Sequence, residues 1–194
     1  MSDALDGNAR ARARRLKLMA FDVDGVLSDG SLFYSDAGIE IKAFNTLDGL
    51  GLKMLQQAGI RVAIITGRRA RCVELRAQDL GIQHLYQAVD NKLDCMRSLL
   101  AELGLAADDA GYMGDDVLDL PVMTACAFSA TPGNGHALVQ HYATLTTARH
   151  GAERVSIAHQ ELIGSQDQIV LLGLALEVLA FAVRSVMHED AEIG

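Results

Sequence analysis

Cysteine is scarce in this chain of 194 residues: there are three, Cys72, Cys95 and Cys126, with no CxxC or metal-ligand spacing among them. An odd, scattered set excludes a disulfide framework and a cysteine-held metal, and suits a reducing cytoplasm. Positive charge is also short: 17 Lys and Arg stand against 25 Asp and Glu, a formal net charge of −8. Such a chain has no general attraction for nucleic acid or for an anionic membrane surface, so an anionic substrate needs a local positive site. A secretory leader is not expected either, because the basic stretch 10–17 is followed only by Leu18–Phe21 before Asp22 intervenes. Residues 1–15 read as a solvated tail. The most apolar run, IVLLGLALEVLAFAV at 169–183, is shorter than the roughly 18–20 residues that span a bilayer. It reads as a helix within a C-terminal element, 165–194, buried in the core or in an oligomer interface without stable membrane insertion.

Half of the residues are hydrophobic and 22% are charged, which at this length predicts one well-packed domain, here 16–164. Short apolar runs alternate with stretches of helical period, the pattern of an α/β fold with a doubly wound, Rossmann-like parallel sheet. Strands are expected at Leu16–Phe21, Val62–Ile65, His84–Tyr86, Ala110–Met113, Ala127–Ser129 and Tyr142–Leu145, and helices at 48–58, 69–80, 91–103, 117–124 and 134–140. Gly59, Gly81 and Gly104 stand where helices end. One segment breaks the alternation. Ser31–Phe44 reads as a β-hairpin, SLFY and IEIKAF around an SDAG turn, and its Leu32, Phe33, Ile39, Ile41 and Phe44 have no partner in a parallel sheet. They either cover their own core or form a contact between subunits.

Ligands of an open parallel sheet bind beyond the carboxyl ends of the strands. Those positions hold Asp22 and Asp24, then Thr66, Gly67 and Arg68, then Gly114, Asp115 and Asp116, with Lys92 opening the next helix. Carboxylates crowded together are stable when a cation joins them, and hard oxygen ligands select Mg²⁺, which binds through a few carboxylates together with substrate phosphate. Thr66 and backbone N–H groups near Gly25 and Gly67 suit phosphate oxygens, with Lys92 as a point charge. A carboxylate attacking phosphorus forms an aspartyl-phosphate, and a second group must then protonate the departing alkoxide and activate water. Asp22 suits the first role and Asp24 the second.

DVDGV, ITGR, NK and GDDVLD, in this order, resemble the four signature motifs of the haloacid dehalogenase superfamily of phosphohydrolases. The resemblance implies Asp22 as nucleophile, Asp24 as general acid and base, and Mg²⁺ held by the Asp22 side chain, the Asp24 peptide carbonyl and Asp115. It implies Thr66 and Lys92 as ligands of the transferring phosphoryl group, and Asp116 and Asp119 as supports of the metal or of Lys92. No cap domain is expected, since the space after the first motif holds only the hairpin and 66–92 holds one helix and one strand. The stretch from about 16 to 140 is similar to the capless sugar-acid phosphatases of that superfamily, enzymes of lipopolysaccharide precursor synthesis. This implies a phosphorylated sugar acid as substrate and a cytoplasmic homotetramer in which hairpins associate and a neighbouring subunit helps close each site. Arg68, with Arg69 and Arg71 beside it, then becomes a candidate for the sugar-acid carboxylate. Asn45 and Asp48 become candidates for the sugar hydroxyls, with an ordinary place at a helix N-terminus the equal alternative for Asp48. The family's glycine-rich stretch before its last helix is matched only in part by ARHGAERV, residues 148–155, which contains His150. A phosphorylatable signalling module shares an acidic pocket, a hydroxyl and a lysine, but lacks a counterpart of Asp24. A dinucleotide site has only Gly49 and Gly51 to rest on, without a third glycine.

Overall fold

The computed structural model describes residues 7–147. Helix α1 (Gly7–Ala13) leads into β1 (Leu18–Phe21), a ribbon of β2 (Phe33–Tyr34) and β3 (Glu40–Ile41), and α2 (Thr46–Gln57). Then follow β4 (Arg61–Ile65), α3 (Arg71–Leu80), β5 (His84–Tyr86), α4 (Lys92–Leu103), β6 (Ala110–Met113), α5 (Leu120–Ala125), β7 (Phe128–Thr131), α6 (Ala137–Tyr142) and β8 (Leu145–Thr146). Six strands form one parallel sheet in the order β5-β4-β1-β6-β7-β8. Leaving the ribbon aside, this is the Rossmann winding, whose direction reverses between β1 and β6.

Both faces of the sheet are covered, which is why the central strands are apolar at every position rather than at alternate ones. Alternation still decides which side each residue serves. Met19, Phe21, Val62 and Ile64 pack with Leu52 and Leu55 of α2 and Val73, Ala77 and Leu80 of α3. Leu18, Ala20, Ala63 and Ile65 pack with Met96, Leu99 and Leu100 of α4, Val122 and Met123 of α5 and Val139 of α6. α3 and α4 end at Gly81 and Gly104, as their spacing predicts.

Three expectations change. The stretch 7–13 is a helix rather than a solvated tail: Ala9 and Ala13, four residues apart on one face, are buried in the core while Arg12 reaches the Ala127 carbonyl. The last strand is Leu145–Thr146, and Tyr142 belongs to α6, whose chain runs two residues past the expected end. The expected helix 117–124 is a 3₁₀ turn, Val117–Asp119, followed by α5, because Asp119 is turned inward and Pro121 starts a new helix. The region 148–155 with His150, the apolar run 169–183 and residues 1–6 lie outside the described residues.

The ribbon is a separate two-stranded sheet in which Phe33 pairs with Ile41 and Tyr34 with Glu40. It does not cover a core of its own. Leu32, Phe33, Tyr34, Ile39 and Ile41 are all exposed, and only Phe44, at its exit, packs against the body of the domain. Between β4 and α4 the chain holds only α3 and β5, so among the described residues the loops beyond the sheet carry no larger insertion than the ribbon. No helix among them is long and apolar enough to cross a membrane.

Candidate active site

The winding brings the loop after β1 beside the loop after β6. Asp22 N donates to Met113 O at 2.9 Å, and the chain then coils so that Leu27 N and Ser28 N both reach Val23 O. Gly25 sits in this coil at φ +82°, and a Cβ there would lie 2.0 Å from Asp115 Oδ2. Only glycine lets the first loop approach Asp115 so closely. Carboxylate oxygens of Asp22, Asp115 and Asp119 lie within 4.8 Å of one another.

Lys92, the first residue of α4, is placed by Asn91, whose side chain caps the helix by accepting from Asp94 N at 3.1 Å. Its Nζ lies 2.8 Å from Asp22 Oδ2 and 2.6 Å from Asp119 Oδ1. Asp119 is fully buried, and its Oδ2 accepts from the backbone N–H groups of Asp115 and Asp116 at 3.1 and 3.2 Å. The Tyr112 hydroxyl lies 3.1 Å from both Asp119 Oδ1 and Ile65 O, joining β6 to the end of β4. The 3₁₀ turn is what lets Asp119 reach back beneath its own loop.

One ammonium does not balance three carboxylates. Burial, reinforced by Asp119, raises the Asp22 carboxyl above its usual range although Lys92 pulls the other way. Burial and the neighbouring Asp22, Asp119 and Asp116 push Asp115 up to about 7. Lys92 is penalised by burial, yet Asp22 and Asp119 outweigh that and keep its pKa above the ordinary value. A site of oxygen ligands this reluctant to hold its negative charge fits a hard divalent cation such as Mg²⁺, which would join Asp22 and Asp115 and lower both pKa values.

The other expected residues divide into two groups. Thr66, at the end of β4, is buried, and its hydroxyl accepts from Arg68 N at 3.5 Å; Gly67 beside it is exposed. The Asp24 carboxylate stands apart from the acidic trio and pairs with Lys42, with Arg68 Nε 3.8 Å away. Arg68 also donates to Tyr34 Oη at 2.7 Å and to Glu40 Oε2 at 2.8 Å. These residues share the crevice. Asp116 caps the 3₁₀ turn, its carboxylate accepting from Val117 N at 2.6 Å, and it does not join the trio. Asn45 caps α2 through Leu47 N, and Asp48 lines a small, largely apolar cavity with Val23, Leu27, Leu52, Ile64 and Arg76. Arg71 pairs with Glu74 on its own helix.

Sequence reasoning passed over Lys42, Glu40, Tyr34 and Tyr112. For the first two the signal was present: in IEIKAF the charged residues alternate with isoleucines, so they share the opposite face of the strand. That face turns inward, with the Lys42 side chain 1% exposed, while Ile39 and Ile41 are 60% and 52% exposed. The ribbon is built apolar side out.

A winding that brings Asp22, Lys92 and Asp115 together where the sheet reverses, with Asp24 on the same loop as Asp22 and Thr66 at the end of β4, defines a haloacid dehalogenase-type hydrolase. A Legionella pneumophila structure assigned to subfamily III A of that superfamily's hydrolases matches with a TM-score of 0.79 at 33% identity, covering 93% of this chain and 92% of the other. The 3-deoxy-D-manno-octulosonate 8-phosphate phosphatase KdsC of Escherichia coli K12 is 43% identical over 147 residues, 74% of this chain and 78% of the relative. The Moraxella catarrhalis phosphatase of the same name, solved with a magnesium ion, a phosphate ion and a KDO molecule, matches with a TM-score of 0.78 at 33% identity over 93% of this chain and 97% of that one. No protein-family model matches the chain. At these identities and coverages the chain belongs to the 3-deoxy-D-manno-octulosonate 8-phosphate phosphatase family of the haloacid dehalogenase superfamily.

Asp119→Ala strands the two loop N–H groups and takes one of two carboxylates from the buried Lys92, leaving the Tyr112 hydroxyl only Ile65 O, so it should cost about 2–3 kcal/mol in urea unfolding. A loss below about 0.5 kcal/mol would show that these bonds do not hold the loop. Burial pushes the Asp48 carboxyl up to about 6, with Arg76 opposing. Because this lies above the unfolded value, the contribution of Asp48 is intact below roughly pH 4 and lost as the pH rises through about 6. Asp48→Asn should therefore stabilise the protein by about 2 kcal/mol at pH 8 and hardly at all at pH 4. An equal offset at both pH values would reject the assignment.

Proposed function

We propose that the protein is a Mg²⁺-dependent phosphatase acting on 3-deoxy-D-manno-octulosonate 8-phosphate, a phosphorylated 2-keto sugar acid. The observation that carries the reading is the Asp22 carboxylate held between Lys92 Nζ and Val23 N beside Asp115, at the point where the sheet reverses. The names of the relatives supply the sugar acid. Phosphate-monoester hydrolysis is among the slowest uncatalysed reactions, so fixed positive charge around the phosphoryl oxygens has a large barrier to lower.

In this reading Asp22 attacks phosphorus, the bond to the sugar oxygen breaks, and Asp24 gives that oxygen its proton. Asp24 then takes a proton from water, which displaces Asp22 and releases orthophosphate. Lys92, with Thr66 and the open backbone at Gly67, binds the phosphoryl oxygens. Mg²⁺ held by Asp22, Asp115 and the Asp24 carbonyl would neutralise the charge of the phosphate and of the carboxylates that face it. Asp119 keeps Lys92 and the Asp115 loop in place. Arg68, anchored at the crevice mouth by Glu40 and Tyr34, turns its remaining N–H groups to the sugar carboxylate.

The assembly is a cytoplasmic homotetramer. Its support is the ribbon, which exposes Phe33, Ile39 and Ile41 on one side of two short strands, with Leu32 exposed just before them. A two-stranded ribbon is marginal by itself, and other copies of it are a natural cover for this face.

Wild-type protein with Mg²⁺ should release phosphate from the 8-phosphate of the sugar acid faster than from other sugar phosphates, and Asp22→Asn should lower kcat by about 10⁴-fold or more with the fold intact by circular dichroism. Substantial turnover in Asp22→Asn would reject it as nucleophile, and a preference for a different sugar phosphate would reject the substrate. Light scattering is expected to give four times the chain mass, and Ile39→Lys with Ile41→Lys to give a smaller species. A wild-type monomer would overturn the assembly.

A further inference from the structure

Lys42 is the most enclosed charged side chain of the ribbon, 1% exposed, and its ammonium group lies between the Asp24 carboxylate and Glu40 Oε1, the latter at 2.7 Å. Glu40 turns its other oxygen to Arg68 Nη2 at 2.8 Å, and Arg68 Nε returns to Asp24 Oδ2 at 3.8 Å. Asp24, Lys42, Glu40 and Arg68 thus form a closed ring of two acids and two bases with no net charge. An ammonium is costly to desolvate, and an arrangement that surrounds one with two carboxylates holds its partners in a fixed place. The ring also separates the two aspartates of DVDGV. Asp22 belongs to the acidic trio, and the Asp24 carboxylate is drawn away from it, toward the ribbon.

We propose that Lys42, braced by Glu40, is a positioning residue that holds the Asp24 carboxylate on the leaving-group side of the crevice and out of the metal cluster. The inference rests on the reading of Asp24 as the proton donor, and gives the ribbon a role in the chemistry of its own subunit. Lys42 exchanges no proton with the substrate. It pulls on Oδ1 of Asp24 and leaves Oδ2 turned toward Arg68, where the sugar oxygen departs.

Leaving groups separate this role from a purely structural one. An alkoxide needs a placed acid to depart, and a p-nitrophenolate does not. Lys42→Met, and Lys42→Gln in case the first folds poorly, should lower the ratio of kcat/KM on the sugar-acid phosphate to kcat/KM on p-nitrophenyl phosphate, which reports leaving-group departure and not the shared hydrolysis of the aspartyl-phosphate, by about 10²-fold, the range of general acid catalysis. KM for the sugar phosphate should change less than about 3-fold, and calorimetric Mg²⁺ affinity should stay the same. In an Asp24→Asn background the Lys42 change should add no further loss. An equal fall on both substrates, weaker Mg²⁺ binding, or losses that multiply with Asp24→Asn would overturn the positioning role. If Asp24→Asn itself keeps full turnover of the sugar phosphate, the acid assignment fails and takes Lys42 with it. A normal Asp24→Asn loss with the ratio unmoved in both Lys42 variants rejects Lys42 alone.

Discussion

A single ammonium group between two buried carboxylates organises this molecule. Lys92 comes from the start of α4, Asp22 from the end of β1 and Asp119 from beyond β6, so three crossovers on both sides of the sheet's reversal meet at one point. Their attraction in a half-dry place is strong, but so is the cost of bringing them out of water, and the gain survives because the remaining polar groups are also met. Asp119 satisfies a tyrosine hydroxyl and two backbone N–H groups besides Lys92. What the arrangement leaves over is negative charge at Asp22 and Asp115, and this surplus is what a cation and then a phosphate can use. The domain carries an unbalanced charge at its centre in order to bind something that balances it.

The ribbon is the second organising element, and it follows the opposite rule. Its charges are balanced and turned inward, and its apolar side chains are turned out. In a monomer this pattern would be an error of design, since exposed β-branched strands invite pairing. Covered by other copies, as proposed above, it would be economical: one face of two short strands would make the contact while the other holds Asp24 and Arg68. A reaction driven by electrostatics gains from the exclusion of water, and the ribbon's charged face lies against Asp24 and Arg68.

The sheet was readable from the sequence because a parallel sheet covered on both faces leaves unbroken apolar runs, and the residues just after them carry the chemistry. Of the residues this logic selects, Asp22, Lys92 and Asp115 lie together, while the Asp24 carboxylate turns to Lys42. Boundaries drifted where a local interaction overrode the period, as at Val117–Asp119, where an inward aspartate replaced the first turn of a helix. The helix at Gly7–Ala13 was missed because a stripe of two alanines among arginines has almost no hydrophobic signal, though small side chains are what a close helix approach needs. Asn45 caps α2 and Asp48 stands in its first turn, the helix N-terminal place that the sequence equally allows it, both beside a small cavity that Val23 also lines. Lys42 escaped notice for a different reason: a lysine on a strand reads as solvated, and only the three-dimensional path of the ribbon encloses it.

Strand alternation gives the ribbon a particular fragility. Ile39 and Ile41 point one way and Glu40 and Lys42 the other, so a slip of one residue in the pairing of Phe33 with Ile41 would exchange the two faces at once. Isoleucines would then crowd Asp24 and the charges would face outward. A short insertion or deletion in the SDAG turn is therefore a change that evolution cannot make by halves: the register that turns the isoleucines out and the register that sets Lys42 beside Asp24 are one and the same.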